Sequence, residues 1–192
     1  MPVKSEKGSV RIIAGDWRSR RLPVLDLPGL RPSTDRSRET LFNWLHPYIP
    51  GAVCADLYAG TGALGFEAAS RGAKAVTLVD SNSRVIDHLG KNIELLKATQ
   101  VSLVHGDAMQ WLQQQAPGCL DIVFVDPPFQ DRVHEQLLQE LEQSACLNAD
   151  GLVYLESPVS RAAPLAPSGW SCWREKVMGD VRLQVFRSQG GR

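Results

Sequence analysis

The chain has 192 residues, 43% of them hydrophobic and 22% charged, with 21 basic and 21 acidic side chains that cancel to a formal net charge of zero. This composition excludes wholesale disorder and collagen-like or coiled-coil character. No apolar run approaches the ~18 residues of a membrane span, and Met1–Lys7 has no apolar signal core. A soluble, cytoplasmic protein is expected, with one domain or one domain and a small appendage, burying roughly 70% of its unfolded surface.

Charge is unevenly placed along the chain. Residues 1–40 hold nine Lys and Arg against five Asp and Glu, and the remainder holds 12 against 16. The basic part is rich in arginine: Arg11, Arg18, Arg20, Arg21, Arg31, Arg36 and Arg38. Such a stretch is either a solvated face or a phosphate-binding surface, and arginine's planar two-pronged donor favours phosphate. Val10–Ala14 and Trp17–Leu22, around Gly15-Asp16, read as a small hairpin. Two strands are marginal alone, so this hairpin should lean on the rest of the chain or order on a partner. Thr34 suits the N-cap of a helix through Leu45, with Leu41, Phe42 and Leu45 as its apolar stripe.

Beyond residue 50, short apolar β-rich runs alternate with helical patterns. Strands are expected at 53–57, 75–80, 101–104, 120–125 and 152–155. Helices are expected at 63–71, from Val85 to Leu96 with Ser81, Asn82 or Ser83 as cap, at 108–115, and from Val133 to Leu141. Strict alternation implies a mostly parallel sheet with helices on both faces. After residue 157 the rhythm breaks at Pro158, Pro164 and Pro167. Two strands, 170–176 and 181–187, then form an appended antiparallel hairpin.

The chemistry-bearing residues fall at strand ends. Gly60, Gly62 and Gly65 in DLYAGTGALG fit G-x-G-x-x-G, which admits a dinucleotide. Asp56 is the informative departure, because a carboxylate beside a pyrophosphate is unfavourable, whereas the ammonium of S-adenosylmethionine (SAM) would welcome it. Asp80 can accept both ribose hydroxyls of either cofactor. Asp107, in His105-Gly106-Asp107-Ala108, can accept from an adenine amine, cap the next helix, or both. Asp126-Pro127-Pro128-Phe129 is the sharpest signal. The prolines fix the Asp126 carboxylate and the Pro127 carbonyl as acceptors, and Phe129 offers a ring to stack a base. An exocyclic amine is a poor nucleophile, and acceptors holding its N–H bonds turn its lone pair outward and take up developing charge. Cys54, Cys119, Cys146 and Cys172 form no CxxC pair, and His46, His88, His105 and His134 do not cluster with them. Free thiols and no metal site are expected.

The ordered set DLYAGTGALG, LVD, GDA and DPPF resembles a class I SAM-dependent methyltransferase acting on exocyclic amines, with a seven-stranded Rossmann-like sheet. The stretches from Arg11 to Arg20 and from Leu30 to Leu45 resemble the RsmD family, which methylates N2 of guanine 966 in bacterial 16S ribosomal RNA. The resemblance implies that Asp56, Gly60 and Gly62 hold the methionine part of SAM, Asp80 the ribose, and Asp107 with Ala108 the adenine. It implies that Asp126, Pro127 and Phe129 hold the target base, and that residues 1–33 are an RNA-contacting extension of a methyltransferase domain over 34–192. It also implies 16S ribosomal RNA or the small ribosomal subunit as partner; a monomer is expected. Ser19 departs from the glycine expected in Trp-Arg-Gly-Arg. Methylation of adenine N6, an NAD-binding oxidoreductase and a non-catalytic RNA-binding protein are the alternative readings.

Overall fold

A computed structural model describes residues 8–27, 34–128 and 133–188. Two short strands, β1 (Ser9–Arg11) and β2 (Arg21–Pro23), pair antiparallel and precede helix α1 (Asp35–Leu45). Then follow β3 (Val53–Asp56), α2 (Ala63–Ser70), β4 (Ala75–Asp80), α3 (Ser83–Leu96), β5 (Val101–His105), α4 (Ala108–Gln113) and β6 (Leu120–Val125). The chain ends in α5 (His134–Gln143), β7 (Leu147–Pro158), β8 (Trp170–Met178) and β9 (Val181–Ser188). The seven-stranded sheet runs β5-β4-β3-β6-β7-β9-β8. Its first five strands are parallel, while β9 is antiparallel to both β7 and β8. The alternating strand and helix pattern and the terminal hairpin are as the sequence implied.

Both faces of the sheet are covered, which is why the central strands are apolar throughout. Along β6, Ile122 and Phe124 face α1, α2 and α3, with Phe42, Phe66 and Leu89. Val123 and Val125 face α4 and α5, with Leu112, Leu137 and Leu141. Caps follow side-chain chemistry: Thr34 accepts from Ser37 N–H and Asn82 from Arg84 N–H. Among the described residues no helix is long and apolar enough to cross a membrane.

Two boundaries differ from expectation. β7 is twelve residues long, because the segment 147–151 joins the edge of β6 across a register shift between Leu120 and Ile122. The N-terminal strands are shorter than 10–14 and 17–22, because beyond the Ile12–Arg20 and Ser19–Ile12 hydrogen bonds the residues between them turn toward α2. Ile13 and Ala14 N–H donate to the Glu67 carboxylate at 2.7 and 3.0 Å, and Asp16 and Trp17 N–H donate to Ser70. A Cβ on Gly15 would sit 1.8 Å from the Ser70 carbonyl oxygen, so only glycine permits this approach. Ser19 has φ +67°, which explains why glycine is expected there.

Candidate active site at the carboxyl ends of the strands

The strand order reverses at β3, with β4 on one side and β6 on the other. In open α/β sheets, ligands bind outside the carboxyl ends at such a point. Asp56, Asp80, Asp107 and Asp126 lie at or just past the carboxyl ends of β3, β4, β5 and β6. The structure therefore brings together one acid from each of four adjacent strands.

The turn from β3 into α2 is anchored on both neighbours: Leu57 N–H donates to Phe124 O and Ala59 N–H to Val79 O, both at 3.0 Å. Gly62 is the N-cap of α2 with φ +76°. A Cβ there would lie 2.5 Å from the Phe66 ring, and one on Gly65 would lie 2.1 Å from Leu78 Cδ2. These glycines let α2 settle against the sheet and draw the turn tight, whatever occupies it.

Asp56 is 1% exposed. Its Oδ2 accepts from Gly65 N–H at 3.1 Å, while Oδ1 is buried with no hydrogen-bond partner. Burial pushes its carboxyl up from 3.8 to about 7, against the Gly65 N–H; the Asp80 charge adds to the rise, and a hydrogen bond from the Tyr58 backbone opposes it. An orphaned, buried carboxylate oxygen in a glycine turn fits a cationic group and opposes a phosphate. Asp80 is half-buried, and its two oxygens accept from Gly60 N–H and Asn82 N–H, each at 2.9 Å. Two backbone donors fix the carboxylate and leave lone pairs for further donors. Asp107 caps α4 by accepting from Gln110 N–H at 3.0 Å through Oδ1, and it remains exposed. Ala108 is buried as the first residue of α4.

Asp126 is half-buried and Pro127 buried, immediately past β6. Phe129, like Arg31, lies outside the described residues. On β7, Tyr154 Oη donates to Glu156 Oε1 at 2.5 Å. In the sequence this pair shows only as a tyrosine and a glutamate in the mostly apolar run LVYLE.

Among the arginines, Arg11, Arg18, Arg20, Arg21 and Arg36 are exposed. Arg11 pairs with Asp35 at 3.1 Å, and Arg20 donates to Leu95 O at 3.0 Å. Arg38 corrects the expectation, because its side chain is 1% exposed and cannot join a phosphate-facing surface. It pairs with Asp35 at 2.6 Å and with Glu67 at 3.7 Å, and donates to Arg11 O at 2.9 Å. Glu67, which carries no motif in the sequence, is fully buried and also binds Arg71 at 2.7 Å. Arg38 and Glu67 together brace the N-terminal segment from inside.

This geometry has close relatives. A family model described as Conserved hypothetical protein 95 matches residues 10–187. The Escherichia coli protein named Ribosomal RNA small subunit methyltransferase D is 46% identical over 188 residues, covering 98% of this chain and 94% of that one. The Haemophilus influenzae protein of the same name is 42% identical over 185 residues, covering 95% of each. The solved structure of Escherichia coli yhhF, which carries a methyltransferase name, superposes with a TM-score of 0.88 at 44% identity, covering 96% of this chain and 100% of that one. The chain belongs to the family described as Conserved hypothetical protein 95, the family of ribosomal RNA small subunit methyltransferase D.

Proposed function

We propose that this protein transfers a methyl group from SAM to the exocyclic N2 amine of a guanine in 16S ribosomal RNA, at the position numbered 966 in the family, in the cytoplasm and as a monomer. The observation that carries the reading is near full-length similarity to proteins named for small-subunit rRNA methylation, in a chain with four acids converging on the switch point. Asp56, Gly60 and Gly62 hold the methionine part, and the buried Oδ1 of Asp56 gains from its ammonium the partner the fold does not supply. Asp80 accepts from the ribose hydroxyls, and Asp107 and the Ala108 backbone hold the adenine. SAM supplies an electrophilic methyl on sulfonium, so no covalent enzyme intermediate and no metal are required.

Asp126 and the Pro127 carbonyl accept the two N–H bonds of the target amine. They turn its lone pair toward the methyl and stabilise the positive charge that grows on nitrogen. Phe129 stacks the base, which must be unpaired or flipped out because N2 is otherwise hidden in a pair. Arg11, Arg18, Arg20, Arg21 and Arg36, on the extension formed by residues 1–33 and the start of the domain spanning 34–192, hold phosphates and position the RNA. Tritiated SAM, offered to RNA and small subunits from cells lacking the enzyme, tests the reading. Label mapping to one guanine N2 supports it. Label on adenine N6, or NADH binding with no binding of S-adenosylhomocysteine, contradicts it.

A further inference from the structure

The terminal hairpin carries three cations on one face of the sheet. In an antiparallel pair, residues opposite each other point the same way, and sides alternate along a strand. β9 sets Val185 beside Arg174 and Leu183 beside Lys176, with Arg187 two residues past Val185. Leu183 and Val185 join the core that α1 covers, so Arg174, Lys176 and Arg187 stand on that face. The register shifts between Cys172 and Arg174, and this bulge lets the consecutive residues Trp173 and Arg174 share it. The Arg174 guanidinium lies 4.3 Å from the centre of the Trp173 ring. The Arg187 guanidinium lies 4.9 Å from the same ring and 5.3 Å from that of Tyr48, and its Nη2 donates to Tyr48 Oη at 2.8 Å. The two rings meet edge-on at 5.5 Å.

Arg11, Arg38, Arg71 and Arg182 each pair with a carboxylate. Among the described residues Arg174, Lys176 and Arg187 pair with none. Glu175, the acid between two of them in sequence, is turned to Gln184 at 2.9 Å and to Arg182 at 4.0 Å, on the opposite face. Charge on an edge strand such as β8 guards against pairing with another chain, but a guard needs no aromatic seat. A guanidinium laid on a ring is held in one plane, and its N–H edge stays available to a phosphate. Arg174 is exposed and uses one N–H, from Nη1 to the Trp173 carbonyl at 3.1 Å.

β6, β7 and β8 run the same way, because β9 is antiparallel to both of its neighbours. Lys176 is therefore two residues short of the end of β8 that lies on the Asp126 side of the sheet, and Arg174 follows toward the other side. β8 is the third strand from β6, roughly 14 Å away at ordinary strand spacing. The N-terminal segment lies on the other side of β6, bound to α2, which packs on β3 and β4. We infer that Arg174, Lys176 and Arg187, seated around Trp173 and Tyr48, form a second RNA-binding surface that takes phosphates of the RNA strand outside the target nucleotide. Charge complementarity selects the occupant: uncompensated cations on a rigid face suit a polyanion. RNA held on both sides of Asp126 is kept from pivoting about the target base, and such contacts position it without reading sequence. The inference rests on the ribosomal RNA methyltransferase reading.

Arg174 and Lys176 are exposed and can be changed without opening the core. Arg174→Ala with Lys176→Ala is expected to weaken binding of protein-free 16S ribosomal RNA by about tenfold at 0.1 M salt. It should also flatten the dependence of that binding on log salt by about 1.4 units, at 0.7 per phosphate. KM for small subunits rises, while kcat at saturating RNA and the affinity for S-adenosylhomocysteine stay at wild type. Arg174→Lys keeps the charge and with it the slope. Lys176→Ala alone should flatten the slope by half as much, and it decides should the double variant fail to fold. Unchanged affinity and slope overturn the proposal and leave the stacked rings and guanidiniums as packing. Weaker binding to small subunits with unchanged binding to protein-free RNA assigns the face to an acidic ribosomal protein and overturns the RNA contact. A wild type that binds RNA and methylates none would remove the methyl-transfer reading, while the binding measurements still decide this surface.

Discussion

Asp56 and Glu67 are two buried carboxylates on either side of one turn, and the fold treats them oppositely. Glu67 accepts two backbone N–H groups and the Arg71 guanidinium, and it faces the buried Arg38. Every need created by its burial is met inside the molecule. Asp56 has the Gly65 N–H on one oxygen and nothing bonded to the other, and burial raises its carboxyl to about 7. Glu67 is a strut, complete without a ligand. In the proposed function Asp56 is a socket, held at a cost that the ammonium of SAM would remove. On that reading it is unmet hydrogen-bonding capacity, and not burial, that separates the two carboxylates.

That contrast can be broken in order of expected size. Glu67→Ala should cost about 3–5 kcal/mol in denaturant unfolding, because it takes the acceptor from the Ile13 and Ala14 N–H groups and from Arg71 and removes the buried charge that faces Arg38. A loss below about 1 kcal/mol would deny the strut. Asp126→Ala should lower turnover by about two to three orders of magnitude, the usual loss for one transition-state acceptor. Its affinity for S-adenosylhomocysteine should be nearly unchanged by calorimetry, and retention of more than half the rate would remove Asp126 from the chemistry. Asp80→Ala should weaken S-adenosylhomocysteine binding by roughly 1.5–3 kcal/mol, the worth of charge-assisted hydrogen bonds. Unchanged affinity would place the ribose elsewhere. Neutralising Arg18, Arg20 and Arg21 together should flatten the dependence of RNA binding on log salt by about two units. A slope equal to wild type with methylation intact would make these arginines a solvated face.

Local chemistry made much of this legible from the sequence. The alternation of apolar runs gave the parallel sheet, Thr34 marked the start of α1, and the Ser81–Ser83 stretch held the cap of α3, which is Asn82. The acids at 56, 80, 107 and 126 declared themselves because each follows an apolar strand. What stayed hidden depends on contacts between distant segments. Arg38 looked like its exposed neighbours in sequence, and only its partners Asp35 and Glu67 show that it points inward. The N-terminal loop ran to α2 instead of extending its hairpin because Glu67 and Ser70 supply partners 53 to 56 residues away. The Tyr154–Glu156 pair carries no motif, and its hydrogen bond shows only in the folded strand.

The socket at Asp56 is tested most directly by melting the protein from pH 5 to pH 8, with and without S-adenosylhomocysteine. A carboxyl that titrates at 3.8 unfolded and at about 7 folded favours the fold fully below 3.8, and that contribution is lost as pH rises through 7. The ligand-free wild type should therefore lose stability across this window, by an amount on the order of a few kcal/mol. Asp56→Asn should not show that loss. S-adenosylhomocysteine, whose ammonium would pair with the ionised carboxylate, should stabilise the wild type increasingly toward pH 8 and stabilise Asp56→Asn far less. A wild-type melting profile that is the same as that of Asp56→Asn across the window, or ligand stabilisation equal in both proteins, would contradict the account.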